Sequence, residues 1–362
     1  MAPKFTPYPL EVLRSYSNLS HTQAPRELDH RPRPLYDSIH DSVKWFLDNK
    51  IDPAGFEAAL FGQPLANGKN NEETKMKIVT DCAADMSAEE LVQLDVVQAP
   101  LYIQFPEGEV NATEITADDF YNRLEAMRPA IPTTAQPSSG LFAELYRKLA
   151  EEEKEILSVH ISSGLSGTIN SARDGGEQVK GEANVSYWDT LSLSGGERFQ
   201  VMAAALASKA NWAMQSMQDR LVKLREKTEV IYTLDTLEYL ARGGRIGRVK
   251  AMAGALLNLK PVIRVAEDGK YSTVTSARTL GKSINAITEH LYHRYSNTPV
   301  WITILHGRFA EKADVLANEL KARLNIARFE VRRISPVLGV HTGPGIVGVA
   351  VVPMELMEDL IQ

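Results

Sequence analysis

The sequence is poor in several features that mark particular classes of protein. It has one cysteine, Cys82, among 362 residues, so it can form neither an internal disulfide nor a cysteine-based zinc site. No stretch approaches the ~18 uninterrupted apolar residues that span a bilayer, and the N-terminus lacks the apolar segment of a signal peptide. The formal net charge of −6, without any Lys/Arg-rich tract, gives no electrostatic footprint for nucleic acid. We therefore expect a cytoplasmic, soluble protein without nucleic-acid partners or stable membrane insertion.

Common catalytic motifs are missing as well. The sequence has no G-x-S-x-G elbow, no HExxH, no GxxxxGK[ST] and no G-x-G-x-x-G after the first predicted strand. Two carboxylate pairs, Asp81 with Asp85 and Asp118 with Asp119, fit turn and helix caps better than a metal site. We predict no catalytic residue, no metal and no organic cofactor.

The remaining composition is that of a globular protein with two domains and an appendage. Of the residues, 44% are hydrophobic and 24% are charged. From residue 77 onward, short β-rich runs, among them 96–104 as one strand, alternate with amphipathic helices, which predicts an α/β fold with parallel sheets flanked by helices. We predict an N-terminal helical extension over 1–74, an α/β domain over 75–240 and a second over 241–362.

A Ser/Gly-rich turn at 156–168, ILSVHISSGLSGT, follows an apolar strand and opens a predicted helix. Free backbone N–H groups and the helix dipole favour an anion there, and Ser162, Ser163 and Ser166 add hydroxyl donors. Simple helix capping by the same residues fits equally well.

Two further turns carry hydroxyl and imidazole groups. PTTAQPSSG, at 132–140, contains Thr133, Thr134 and Ser138, and HTGPG, at 341–345, begins with His341 before an apolar strand. Ser, Thr and Pro are common in turns, and a lone histidine beside a strand is often structural. Each turn alone is a weak signal.

A basic cluster, Arg242, Arg245 and Arg248, surrounds three glycines and precedes a run of small apolar residues. Arginine holds phosphate or carboxylate in a bidentate fork, so the cluster is a candidate docking face, although a solvated helix start also fits. The residues after it fit either an alkyl tunnel or ordinary core. They are Ala251, Met252, Ala253, Ala255, Leu256 and Leu257.

Taken together and in order, these motifs give a specific resemblance. From residue 77 to its end the chain resembles the DegV family, the fatty-acid-binding proteins that serve bacterial fatty acid kinases. The matching segments are KIVTDCAADMS, PTTAQPSSG, HISSGLSGTINSAR, DTLEYLARGGRIG, LLNLKPVI, the triplet at 277–279 and HTGPG.

The resemblance implies a two-domain α/β fold that binds a long-chain fatty acid, with the carboxylate at the interface between the domains and the alkyl chain in an apolar tunnel. It also implies that the protein presents the carboxylate to a separate fatty acid kinase catalytic subunit. It assigns carboxylate binding to Thr134, Ser162, Ser163, Gly164 and His341. It assigns Arg242, Arg245 and Arg278 either to docking of the kinase or to a position that faces the phosphate. Cys82 and Ala135 stand where the family usually has serine, so hydroxyl contacts from those two positions are absent.

The energetics of burying a fatty acid agree with the function of a carrier. A buried carboxylate without partners costs several kcal/mol, so donors must converge on it, whereas each buried methylene of the tail returns ~0.8 kcal/mol. Two alternatives stay open: a Ser/His acyl-ester hydrolase that uses Ser163 and His341, and a phosphate- or sugar-binding regulatory protein.

Overall fold

The computed structural model describes residues 76–249 and 259–361. The predicted helical extension over 1–74 and the apolar run at 251–257 lie outside the described residues. No helix in the described ranges is both long and apolar enough to cross a membrane.

Strands and helices alternate through most of the described chain. The strands are β1 Lys77–Asp81, β2 Val96–Ala99, β3 Tyr102–Phe105, β4 Gly108–Asn111, β5 Thr133–Ala135, β6 Glu155–His160, β7 Asn184–Asp189, β8 Glu229–Leu234, β9 Lys260–Val265, β10 Tyr271–Ala277, β11 Val300–His306, β12 Ile326–Arg333 and β13 Ile346–Pro353. The helices are α1 Ala88–Leu94, α2 Ala117–Ala126, α3 Ser139–Ala150, α4 Thr168–Gln178, α5 Ser194–Lys209, α6 Met214–Lys227, α7 Glu238–Arg242, α8 Leu280–Tyr295, α9 Ala310–Lys321 and α10 Pro336–Thr342.

The first sheet has four strands in the order β2-β1-β6-β7, and all of its neighbours pair in parallel. Its two central strands, β1 and β6, are buried on both faces, so alternate residues along them serve different cores. Ile78 packs towards the second sheet, whereas Val79 packs against α3 and α4 on the outer face. This sheet confirms the predicted α/β fold class.

The second sheet has six strands in the order β10-β9-β8-β13-β11-β12. Only β11 and β12 pair in parallel, and the other neighbours are antiparallel. The expected parallel pairing therefore fails for most of this sheet, because strand–helix alternation along the chain does not fix strand direction where hairpins and return strands join the same sheet. Strand β8 belongs to this sheet although it precedes residue 240, and the division into two domains there stays a prediction.

A third, small sheet, β4-β3-β5, is antiparallel. The single strand predicted over 96–104 is in fact two strands in different sheets. Pro100 separates them, because proline lacks the N–H that a continuing ladder needs. Leu101 then donates its N–H to Cys82 Sγ at 3.3 Å, which fixes the course of the chain into β3.

Helix α5 is buried along almost its whole length and packs on strands of both the first and the second sheet. Arg198 on this helix has a side chain 2% exposed and forms ion pairs with Glu90 of α1 and Glu330 of β12. Arg332 of β12 pairs with the same Glu90 at 2.6 Å. These ion pairs connect α1 and α5, which pack beside the first sheet, to β12 at the edge of the second sheet. The candidate site lies in the space between the two sheets.

Candidate functional site

Thr134 lies in the middle of β5, opposite Ile103 of β3. The turn that follows is fixed to α4 by Gln136, which donates to Ser171 Oγ at 2.8 Å. A Cβ placed on Gly167 would come within 2.3 Å of Gln136 Oε1, so any larger residue there would displace the amide. Two predicted turns, PTTAQPSSG and SSGLSGT, therefore pack directly on one another.

His341 lies in the last turn of helix α10, and not in a turn as the HTGPG motif predicts. The helix is short and lacks a clear period, but Pro336 starts it and Gly343, with φ of 71°, ends it. A Cβ on Gly343 would lie 2.3 Å from the Tyr239 ring, so the ring fits only against glycine. The His341 side chain is thereby held on a buried helix end.

These two elements bring Thr134 and His341 together. Thr134 Oγ1 lies 2.9 Å from His341 Nε2, although the residues are 207 positions apart in the chain. The contact is partly buried. The structure thus joins two of the predicted carboxylate ligands in one hydrogen-bonded pair.

The imidazole of His341 is neutral at physiological pH. Burial, and then the positive charge of Arg245, lower the pKa of His341 from 6.5 to about 4. Nδ1 is buried and has no hydrogen-bond partner among the described residues. Gly243 lies against this nitrogen, since a Cβ there would approach within 2.3 Å. The glycine of the RGGR segment therefore makes room for the ring.

Four polar side chains line one small space, which we call the head cavity. They are Thr134, Ser166, Arg245 and His341. The other walls are apolar and come from Ala83, Leu101, Ile161, Leu165, Tyr271, Val337 and Leu338. Arg245 is partly buried and donates to Gly243 O at 2.8 Å. One cation, two hydroxyls and a neutral imidazole thus meet at an apolar wall.

A second space, which we call the tail chamber, shares Tyr271 and Leu338 with the head cavity. Its other walls are Leu193, Ser194, Val230, Ile231, Tyr232, Leu305, Ile334, Thr342 and Ile346. The head cavity has a volume of about 30 Å³ and the tail chamber about 20 Å³, room for about one water each. A long acyl chain can occupy them only if the side chains of the two sheets move apart.

The Ser/Gly turn is arranged differently from the prediction. Ser162 is buried and donates to Gly269 O at 2.8 Å, and the N–H of Gly164 donates to Ser162 Oγ at 3.1 Å. Ser163 is exposed, and its N–H donates to Asp189 Oδ1 at 3.1 Å. Ser166, which the sequence offered as a hydroxyl donor but which the family resemblance does not assign, is the serine of this turn that lines the head cavity.

The three predicted docking arginines lie in different surroundings. Arg245 lines the head cavity, whereas Arg242 and Arg278 are exposed. Arg242 pairs with Glu238 at 3.1 Å and also donates to Pro129 O. The spacing in the sequence could not separate these arginines, because the turn after α7 reverses the chain between Arg242 and Arg245.

Tyr271 and Tyr232, which line the tail chamber, are not among the residues predicted from the sequence. Tyr271 begins β10, a strand that was not predicted. Its alternating segment YSTVTSA was the available signal. The two rings contact each other edge to face, with centroids 5.7 Å apart.

Comparison with known proteins agrees with this fold. The family described as "Uncharacterised protein, DegV family" matches residues 75–354. A DegV domain-containing protein from Deinococcus radiodurans is 36% identical over 278 residues, which cover 76% of this chain and 95% of the relative. A DegV domain-containing protein from Clostridium acetobutylicum is 32% identical over 282 residues and is covered over 98% of its length. The chain therefore belongs to the DegV family.

Solved structures of the family extend the comparison. A DegV family protein from Thermus thermophilus, described by its fatty acid binding, is 30% identical, with a TM-score of 0.72 over 77% of this chain and 99% of that one. DegV from Bacillus subtilis, described as a fatty acid binding protein, is 26% identical, with a TM-score of 0.71 over 77% and 99% of the two chains. The α/β architecture is common to all three.

Proposed function

We propose that this protein is a cytoplasmic carrier that binds a long-chain fatty acid and presents its carboxylate to a separate fatty acid kinase. The observation that carries the proposal is the Thr134–His341 hydrogen bond in a small polar cavity that shares Tyr271 and Leu338 with an apolar chamber. The description of the Thermus and Bacillus relatives as fatty-acid-binding proteins supports it.

The imidazole tautomer decides what the threonine can do. With its proton on Nε2, neutral His341 donates to Thr134 Oγ1, and the Thr134 O–H is then free to donate to a carboxylate. With the proton on Nδ1, the same O–H would be used up on Nε2, and a buried N–H would stay unpaired. A fatty acid in the head cavity selects the first arrangement.

Arg245 supplies the charge that a buried carboxylate needs. Its guanidinium lines the head cavity, and the same positive charge disfavours a second cation on His341. A hydrogen bond to a charged group contributes ~1.5–3 kcal/mol, so Thr134 and Arg245 together can offset the desolvation of the head group.

The tail supplies most of the affinity. Each methylene that leaves water contributes ~0.8 kcal/mol, less the cost of ordering the chain. Since the walls of the tail chamber must part to admit an alkyl chain, part of this free energy opens the space between the sheets. The exposed Arg242 and Arg278 are then available to a kinase at the surface.

Native mass spectrometry of the purified full chain, before and after delipidation and on addition of palmitate or oleate, tests the proposal. We expect one fatty acid per chain. Thr134→Ala should bind about 10- to 100-fold more weakly and Thr134→Ser nearly as well as the wild type, because serine keeps the hydroxyl. The exposed Thr113→Ala is the matched control.

Three outcomes would overturn the proposal. One is a protein that takes up no palmitate or oleate, and another is a Thr134→Ala variant with unchanged affinity. The third is thermal stabilisation by phosphate esters with none by fatty acids, which would favour a phosphate-binding regulator. Labelling of Ser163 by a fluorophosphonate probe would favour the hydrolase instead.

A further inference from the structure

A surface groove lies beside the tail chamber, between α1, the loop before α2 and the segment that joins β12 to α10. We call it the outer groove, and its volume is about 460 Å³. Its apolar walls are Cys82, Met86, Ala88, Leu91, Ala112, Ile115, Ala117, Ile334 and Pro336. Ala88 is exposed, and the groove opens to solvent on that side.

The two arginines that line the outer groove are already paired. Arg332 forms ion pairs with Glu90 at 2.6 Å and with Glu330 at 2.9 Å, and Arg333 pairs with Asp118 at 2.8 Å. An anion in the groove would have to compete with these carboxylates for the guanidinium groups. The groove therefore suits an uncharged apolar group better than a second acid head group.

One side chain separates the outer groove from the tail chamber. Ile334 lines both spaces and is 3% exposed. It is the first of three residues, four positions apart, that line the chamber along α10, and the others are Leu338 and Thr342. Since one side of Ile334 forms the chamber wall and another side the groove wall, moving this side chain connects the two spaces.

The polar part of the same partition is fixed by hydrogen bonds to Asp85. Ser335 donates its N–H to Asp85 Oδ1 at 2.7 Å, and Ser194, which lines the chamber, donates its hydroxyl to Asp85 Oδ2. Ser194 and Asp85 have φ of 52° and 53°, a conformation that non-glycine residues rarely adopt and that persists where the surroundings hold it. The side chain of Ile334 is held by packing, so it is the part of the partition that moves most readily.

A fatty acid needs more space than the two closed cavities provide, because the head cavity and the tail chamber have room for about one water each. Seven positions separate Ile334 from His341, a distance of about 10 Å for a helical rise of ~1.5 Å per residue, which is shorter than an extended palmitate. We propose that the distal end of the acyl chain passes Ile334 and lies in the outer groove. The inference rests on the proposed fatty-acid binding and identifies where the tail ends.

This arrangement makes Ile334 a residue that determines specificity for chain length. Each methylene that leaves water for an apolar wall strengthens binding by up to about four-fold. A chain long enough to pass Ile334 gains from the outer groove, whereas a chain that ends before Ile334 gains nothing there. A bulky side chain at this position should therefore act against long chains only.

Displacement of a fluorescent fatty acid from the delipidated full chain tests this dependence with palmitate and octanoate. Ile334→Trp obstructs the passage, so palmitate should bind at least about 10-fold more weakly, while octanoate should change by less than about two-fold. The matched control is Val331→Trp, at a position on β12 that is 44% exposed and does not line the groove. It should leave both affinities unchanged.

Photo-crosslinking of the wild type locates the chain end without relying on the folding of a variant. The probe is palmitate with a diazirine at its terminal carbon, and peptide mass spectrometry identifies the modified residues. We expect adducts within 82–91 and 112–117, the segments that line the outer groove. Ile334→Trp should remove these adducts, and Val331→Trp should keep them.

The outcomes separate this inference from the proposed function. Adducts confined to the chamber walls, at 230–232 and 305, would overturn the inference while the carrier proposal stands. An equal loss of palmitate and octanoate affinity in Ile334→Trp would overturn it as well. If the wild type takes up no palmitate, the proposed function fails and the inference fails with it.

Discussion

Two histidines of this chain each hydrogen-bond a hydroxyl group, but their surroundings differ. His160 lies in a fully buried chain of contacts in which Tyr146 bonds Ser158 at 2.7 Å, Ser158 bonds His160 Nε2 at 2.7 Å, and His160 Nδ1 bonds Asp81 at 3.0 Å. His341 bonds Thr134 through one nitrogen, has no partner for the other in the part of the chain that the structure describes, and lines a cavity.

The difference separates a structural histidine from a binding one. Both ring nitrogens of His160 form hydrogen bonds. Asp81, His160 and Ser158 are connected in the order of a catalytic triad, but they are fully buried and no substrate can reach them. They therefore act by holding β1, β6 and α3 together. The pair at the head cavity has unused hydrogen-bonding capacity, which a ligand can take up. Residue identity alone would have favoured the first as a catalytic triad.

The largest effect on stability is expected in the fully hydrogen-bonded network around His160. His160→Ala removes one hydrogen-bond partner of buried Asp81, which keeps the N–H groups of Ala83 and Ile161, and leaves a cavity, so we expect the free energy of unfolding to fall by about 3–5 kcal/mol. Urea unfolding measures this, and the exposed His293→Ala serves as a control within about 0.5 kcal/mol. A loss of ligand binding without a loss of stability would place His160 in the site and erase the distinction between the two histidines.

The second-largest effect on stability is expected at His341 when the pH is lowered. Because the folded pKa of about 4 lies below the unfolded value near 6.5, neutral His341 contributes stability that is complete above pH 6.5 and is lost as the pH falls through 4. The contribution amounts to about 3 kcal/mol. We therefore expect the stability difference between the delipidated wild type and His341→Gln to change with pH across this window.

Carboxylates also titrate between pH 6.5 and 4, so only the difference between the two proteins is informative. A difference that stays constant from pH 7 to 4 would show that His341 is not held neutral by burial and Arg245. Bound fatty acid should narrow the pH range over which the stability difference changes, because its carboxylate raises the pKa of His341.

A smaller effect is expected at Gly243, which lies against His341 Nδ1. Its replacement by alanine would push the ring or the turn aside, at a cost of about 1–3 kcal/mol in stability, and would weaken fatty-acid binding through the displaced Thr134–His341 pair. Displacement titration and thermal unfolding measure the two effects. Gly281→Ala, where nothing lies within 4 Å of the added Cβ, is the matched control. Unchanged binding in Gly243→Ala would mean that the ring position is unimportant.

The smallest effect separates two serines of one turn. Ser163 is exposed, so Ser163→Ala should change fatty-acid affinity by less than about two-fold, whereas Ser166→Ala should weaken it more, since Ser166 lines the head cavity. Isothermal titration with palmitate compares them. A larger loss of affinity in Ser163→Ala than in Ser166→Ala would support the carboxylate ligands that the family resemblance implies.

The sequence predicted local structure where periodicity and capping agree. Helix α1 runs over Ala88–Leu94, as the residues at its two ends indicate, because Ser87 and Glu90 form a capping box and Asp95 ends the helix in the left-handed region. Helix α10 and strand β10 were missed. The first is a single short helix around Gly339, and the second alternates polar with small residues, so neither gives a strong periodic signal.

By itself, the sequence determined the α/β class, most elements and the chemical groups available for a site, since these follow from local pattern and composition. Only the tertiary structure decided which groups meet. Strand order, the antiparallel second sheet and the packing of Gly243 against the ring bring His341 to Thr134, and leave Ser163 in solvent. Contacts across 207 residues depend on register and packing between layers, and no local pattern in the chain encodes those.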